Sequence, residues 1–281
     1  MPRYVRPVPL DDAWAGLVDD AAIFPPGDVP FDEAVDAYDS RSDEDGAELV
    51  GSFVLRDTDL PRLTDPLAVA PVSVVCTGGA GQLAGPSGWV RRENVAIAGM
   101  EIAVRDLDDP AGNVRRIVAA TDELETEWPV FVELPQTPTD HGWLRAADIA
   151  AEAGLRLKFR TGGLDASAFP SAEVLAGWID AALDRETQFK CTAGLHRAIR
   201  HTGDDGFEHH GFLNVLVATA RAFAGAGNAE VVQVLESRDA GMLTQAFEYE
   251  SGNAARRWFR SFGSCSVAEP LADLRALGYA Q

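Results

Sequence analysis

The sequence predicts an α/β protein, a (β/α)8 TIM barrel. Two observations carry this reading. Apolar runs of strand length alternate with helix-period segments along the chain, a pattern that implies parallel strands joined by crossover helices. Eight such runs fit within 281 residues, and eight units favour a closed barrel over the runner-up, an open doubly wound sheet.

The expected strands are Leu17–Phe24, Leu49–Arg56, Val72–Thr77, Met100–Arg105, Val130–Leu134, Leu155–Thr161, Gln188–Thr192 and Val231–Glu236. Each is a short run rich in apolar or β-branched residues. Between them, helices are expected at Phe31–Ser40, Leu60–Leu67, Ser87–Glu93, Asn113–Leu124, Trp143–Ala153, Ala172–Arg185 and Gly211–Gly225. Two more follow the last strand, about Ala254–Phe262 and Val267–Leu277. Ser266 and Glu269 have capping-box spacing and mark the start of the final helix. The expectation is one barrel domain over residues 1–281, with extra C-terminal helices at about 254–277. SRSDEDGAE, residues 40–48, reads as a solvated turn.

Composition narrows the function. Hydrophobic residues make up 46% and charged residues 24%, ordinary for a folded soluble protein. The net charge of −20 repels phosphate backbones and anionic lipid. Neither nucleic acid nor membrane is therefore an expected partner, and an anionic ligand needs a local cationic pocket. No stretch approaches the roughly 18 apolar residues of a membrane span. The N-terminal MPRYVRPVPLDDAW has an arginine pair without an apolar run behind it, so no secretory signal and a cytoplasmic location are expected. Cys76, Cys191 and Cys265 form no metal or disulfide pattern and are expected to be small buried apolar residues. No cofactor or metal is expected. A homo-oligomer is compatible with the sequence, although Trp258, Phe259 and Phe262 read as core packing rather than a dimer contact.

Lys158 and Lys190 are the chain's two lysines among 24 cationic residues. Arginine is essentially never deprotonated, whereas a lysine amine can act as a base or form an imine. Strand parity puts Leu157 and Phe159 on one face of their strand, with Lys158 and Arg160 on the other. The same reasoning turns Lys190 inward, with Glu133, Glu101 and Arg105 from neighbouring strands. All six are expected in one cavity at the C-terminal mouth. Buried charges must neutralise one another or bind something. A structural ion-pair network is the plain alternative, but charge clusters on this face of a barrel point to a site. Three turns, Thr161-Gly162-Gly163, Thr192-Ala193-Gly194 and Thr77-Gly78-Gly79, offer backbone N–H groups to an anion. Arg160 beside the first adds a bidentate clamp.

The two lysine segments, Lys158-Phe159-Arg160-Thr161-Gly162 and Lys190-Cys191-Thr192-Ala193-Gly194, resemble the strand-end motifs K-T-S-T-G and K-A-S-G-G of class I deoxyribose-phosphate aldolases. The fifth strand of that family also tends to end in a glutamate, as Glu133 does here. The resemblance implies that Lys158 forms the Schiff base and that Lys190, a like charge, lowers its pKa below the ordinary value of about 10.4. A carboxylate close to Lys158 would have the opposite effect. Two positions depart from the pattern: Ala103 stands where that family carries an aspartate, and Arg160 replaces a small residue.

His196, His201, His209 and His210 lie in GLHRAIRHTGDDGFEHHGF, a long connection after the seventh strand that should lie over the barrel mouth. They could supply an acid or base, an anion contact, or metal ligands. The expected function is a lysine-dependent lyase, aldolase or isomerase acting on a phosphorylated or carboxylated carbonyl compound. In it Lys158, Lys190, Glu133 and Glu101 are catalytic, and the arginines, the threonine–glycine turns and the histidines bind the small anionic metabolite. One alternative is a metal-assisted hydrolase or isomerase using the histidines and Glu133. Another is an anion-binding barrel without turnover.

Overall fold

A computed structural model describes residues 12–41, 44–65, 69–125, 127–249 and 253–280. The elements, in chain order, are β1 (Val18–Asp20), α1 (Phe31–Ser40), β2 (Val50–Arg56), β3 (Val72–Cys76), α2 (Ala84–Glu93), β4 (Ile97–Ala103), α3 (Pro110–Glu123), β5 (Val130–Glu133), α4 (His141–Glu152), β6 (Arg156–Arg160), α5 (Ala172–Asp184) and β7 (Phe189–Thr192). Then come β8 (His201–Thr202), β9 (Glu208–His209), α6 (Phe212–Phe223), α7 (Asn228–Glu236), α8 (Ala240–Tyr249), α9 (Asn253–Arg256), β10 (Phe259–Ser264) and α10 (Ala268–Ala276). Parallel strands close in the order β1, β10, β7, β6, β5, β4, β3, β2, which makes a (β/α)8 barrel. β8 and β9 form a separate antiparallel hairpin. Among the described residues, no helix is long and apolar enough to cross a membrane.

Local sequence explains where helices begin. The side chains of Asp109, Asp140 and Ser171 accept hydrogen bonds from Gly112, Trp143 and Val174 N–H at the starts of α3, α4 and α5, occupying donors that a helix N-terminus leaves unpaired. Outside the barrel wall an aromatic seam joins sheet to helices. Phe159 on β6 packs against Trp178 at 5.5 Å, Trp143 at 6.3 Å and Phe189 at 5.0 Å between ring centroids. Phe189 stacks in turn on Phe259, and Phe262 on Phe212 of α6.

The structure corrects the eighth strand. Val231–Glu236 lies within α7, which buries Val231, Val234 and Leu235, an i, i+3, i+4 stripe that belongs to a helix. The closing strand is β10, which overlaps the end of the segment expected to be a helix at Ala254–Phe262. The register of β10 against β7 shifts between Phe259 and Phe262. With this irregularity, Phe259 and Phe262 both stack on aromatic residues of the outer seam, while Ser261 reaches Asp19 inside the barrel. Two outward aromatics three residues apart imitate a helical face, and so strand alternation failed there. β1 is shorter than Leu17–Phe24, and β4 ends at Ala103 rather than Arg105. Where Leu60–Leu67 was expected to be a helix, the described residues form a 3-10 turn at Leu60–Arg62. Pro66 and Leu67 lie outside the described residues, as do the N-terminal MPRYVRPVPL and residues 42 and 43 of the expected solvated turn.

Phe159→Ala removes the centre of the aromatic seam. It is expected to destabilise the fold by about 3–5 kcal/mol, measured as a lower denaturant midpoint with an unchanged slope.

Candidate functional site

Six charged side chains form a chain of alternating sign inside and at the mouth of the barrel. Lys158 Nζ donates to Glu101 Oε2 at 2.6 Å and to Glu133 Oε2 at 2.9 Å. Lys190 Nζ donates to Glu101 Oε1 at 2.5 Å and to Asp19 Oδ2 at 2.7 Å. Arg160 Nε donates to Glu133 Oε1 at 2.7 Å. The order is therefore Arg160, Glu133, Lys158, Glu101, Lys190, Asp19, and the formal charges of the six cancel. The register of the sheet brings them together, because Glu133 pairs with Lys158, and Lys158 with Lys190, across adjacent strands. Hydroxyls complete the far end: Asp19 accepts from Ser52 Oγ and Ser261 Oγ, each at 2.6 Å, and Ser52 meets Ser73 at 2.8 Å.

These contacts correct the expected effect of Lys190 on Lys158. Burial disfavours the Lys158 ammonium, but the carboxylates of Glu101 and Glu133 outweigh it and hold its pKa above the ordinary lysine value. Burial likewise opposes the Lys190 charge, and Asp19 and Glu101 overcome it. Burial pushes Glu101 upward, yet the two lysines prevail and bring it down to about 2. Glu133 is also lowered: Lys158 and Arg160 outweigh its burial. Because Glu101 stands between the two ammonium groups, both lysines rest as cations.

Above this chain lies a cavity of about 850 Å3. Glu101, Lys158 and Lys190 line it from the barrel, with Arg160, Gly163, Thr192 and Gly194 at the strand ends and His196, His201 and His209 from the long connection. Five predicted site residues do not line it. Glu133 is occupied by Lys158 and Arg160. Thr161 Oγ1 donates to the carbonyl oxygens of Thr192 and Ala193. Gly162 packs against Gly194 so closely that a Cβ would come within 2.8 Å of the Gly194 Cα. Arg105 lies past the end of β4 and donates to the Thr77 carbonyl. His210 is fully buried, with Nε2 2.8 Å from the Pro170 carbonyl oxygen, and burial pushes its pKa down to about 4.

The long connection is built around the β8–β9 hairpin. Glu208 accepts from Thr202 Oγ1 and pairs with Arg238 and Arg200. His209 Nε2 lies 2.9 Å from Asp205, and the His201 and His209 rings are 5.1 Å apart. Among the described residues, no group of three or more His, Cys, Asp or Glu side chains is placed to hold a metal ion. The ligand set of the metal-assisted alternative is dispersed, with Glu133 paired to cations and His210 buried against Pro170 and Arg200.

Three contributors escaped the sequence reading. Asp19 sits in LVDDAAIF, where a carboxylate inside an apolar strand was the available signal. Cys265, expected to be buried, is only partly so and lines the cavity together with Glu269. Nothing local to either residue announced that they would meet His196.

Fold and geometry define a class: a (β/α)8 barrel with a buried lysine–carboxylate chain beneath its mouth. A scan against protein-family models found no match, and a comparison with curated proteins found none either.

Glu101→Gln leaves two buried ammonium groups without their shared anion. It is expected to cost about 3–5 kcal/mol. The folded-state pKa of Glu101 is depressed from 4.5 to about 2, so its stabilisation is present above the unfolded value and is lost as pH falls through the folded one. In denaturant titrations, the wild-type advantage over Glu101→Gln should therefore shrink as pH falls from 4.5 towards 2.

Proposed function

We propose that this protein is a lysine-dependent lyase or isomerase acting on a small carbonyl compound that bears a phosphate or carboxylate. One observation carries the reading: Lys158 and Lys190 both reach the floor of the cavity, bridged by the single carboxylate of Glu101. The strand-end motifs that resemble class I aldolases support the same chemistry. The net charge of −20 supports a small ligand over nucleic acid or a membrane.

Lys158 is the nucleophile in this reading. Its ammonium passes a proton to Glu133 or Glu101, both within hydrogen-bond distance. The neutral amine then adds to the substrate carbonyl, and water leaves to give an imine. Lys190, kept cationic by Asp19 and Glu101, stabilises negative charge that develops on the substrate. Arg160, partly exposed at the rim, takes the anionic end. The raised Lys158 pKa makes the neutral amine scarce at neutral pH, so imine formation accelerates as the solution becomes alkaline. The complete pairing of all six charges favours one second reading, an anion-binding barrel without turnover.

Borohydride trapping with a panel of small phosphorylated and carboxylated aldehydes and ketones separates the two. The expected result is a reduced adduct on the Lys158 peptide, absent from Lys158→Arg, with a yield that rises as pH approaches the ordinary lysine value of about 10.4. Full turnover by Lys158→Arg would end the imine mechanism. Anion binding with no adduct from any member of the panel would favour the binding barrel.

A further inference from the structure

Cys265, His196 and Glu269 meet on the wall of the cavity, outside the lysine chain. Glu269 Oε2 lies 2.8 Å from His196 Nδ1. A carboxylate can only accept, so Nδ1 carries a proton, and in the neutral imidazole Nε2 presents its lone pair. Cys265 Sγ lies 3.7 Å from that Nε2 and 4.0 Å from Nδ1, nearer the nitrogen that can accept a thiol hydrogen bond. His196 comes from the connection after β7, whereas Cys265, just past the end of β10, and Glu269, in the first turn of α10, come from one C-terminal segment. All three line the cavity. The order carboxylate, imidazole, thiol is that of an activated nucleophile, with a base and the group that orients it.

We propose that Cys265 is a second nucleophile of this cavity, which adds reversibly to a small aldehyde with His196 as its base and Glu269 as the residue that positions His196. The carbonyl class rests on the function proposed above; the nucleophile itself does not. In the step, the S–H bond breaks and His196 Nε2 takes the proton. The sulfur pair forms the S–C bond, the carbonyl π pair moves to oxygen, and the imidazolium returns the proton to that oxygen. The product is a thiohemiacetal; no leaving group is expelled, nothing is oxidised, and no co-reactant is consumed.

The groups facing the sulfur agree with this division of labour. Burial, then Glu269 and Asp20, raises the Cys265 pKa, while the backbone N–H groups of Gly27 and Cys265 favour the thiolate. The resting group is therefore a thiol that needs a base.

The test measures the rate of Cys265 alkylation by iodoacetamide across a pH series, using peptide mass spectrometry of the full chain. His196→Ala is expected to alkylate at least about tenfold more slowly than wild type at neutral pH, and to approach it well above the ordinary thiol value of about 8.5. Glu269→Gln should show the same displacement of its pH profile, to a smaller extent. Propanal should slow alkylation in wild type and equally in Lys158→Arg, which separates this site from the imine. Equal rates in wild type and His196→Ala at every pH would overturn the proposal. So would a wild-type rate that rises only towards the alkaline end, a result independent of whether any variant folds. Absence of protection by propanal would overturn the aldehyde assignment.

Discussion

Glu101 lies 2.6 Å from one ammonium nitrogen and 2.5 Å from another, in an interior that excludes nearly all water. Removing charges from water is expensive, and only close, well-oriented counter-charges offset the cost. Within this group of six, one carboxylate serves two lysines, and each lysine serves two carboxylates. The result is a closed set: displacing any member leaves a buried partner uncompensated. The register of β4 to β7 and the position of β1 beside β10 are tied to this set, because Asp19, Glu101, Glu133, Lys158 and Lys190 arrive from five different strands.

The same geometry accounts for the identity of the two cations. Each ammonium group bridges two carboxylates from within a narrow barrel. A compact nitrogen with three donors on a flexible stem does this readily, whereas a planar guanidinium fork is larger and fixed in shape. Arginine occurs instead at Arg160, where the mouth is wide enough for it. Lysine is thus favoured at positions 158 and 190 by packing.

The cavity above the chain is polar in two ways. Its floor carries the paired lysines and Glu101, while its wall carries three imidazoles, a thiol and further charged side chains, among them Arg197, Asp205 and Glu269. The wall is assembled from segments far apart in sequence. Arg238 and Arg200 hold Glu208 and thereby the β8–β9 hairpin, while Asp273 of α10 accepts from Ala198 N–H and pairs with Arg197. These contacts anchor both ends of the long connection and bring His196, His201 and His209 to the rim.

Much of this was legible in the residues alone. Parallel strands buried on both faces read as apolar runs, so the barrel and seven of its strands followed from periodicity. Alternation put Lys158, Lys190, Glu133 and Glu101 on the inner face because side-chain direction reverses at every residue of a regular strand. Alternation failed at β10, where an irregular register lets two aromatics three residues apart pack outward, and a helix was expected instead. The sign of the Lys158 pKa shift was also beyond the sequence. It depends on whether a carboxylate or an ammonium lies nearer, and distances between strands are set only when the barrel closes. The encounter of Cys265 with His196 has the same origin: residues 69 positions apart become neighbours when β10 fills the gap between β7 and β1. The sequence by itself determined the fold class and the inward set of charges, through periodicities that each segment carries locally. Tertiary structure alone decided how those charges pair and which side chains share the cavity wall, because pairing is a property of distances across the closed sheet.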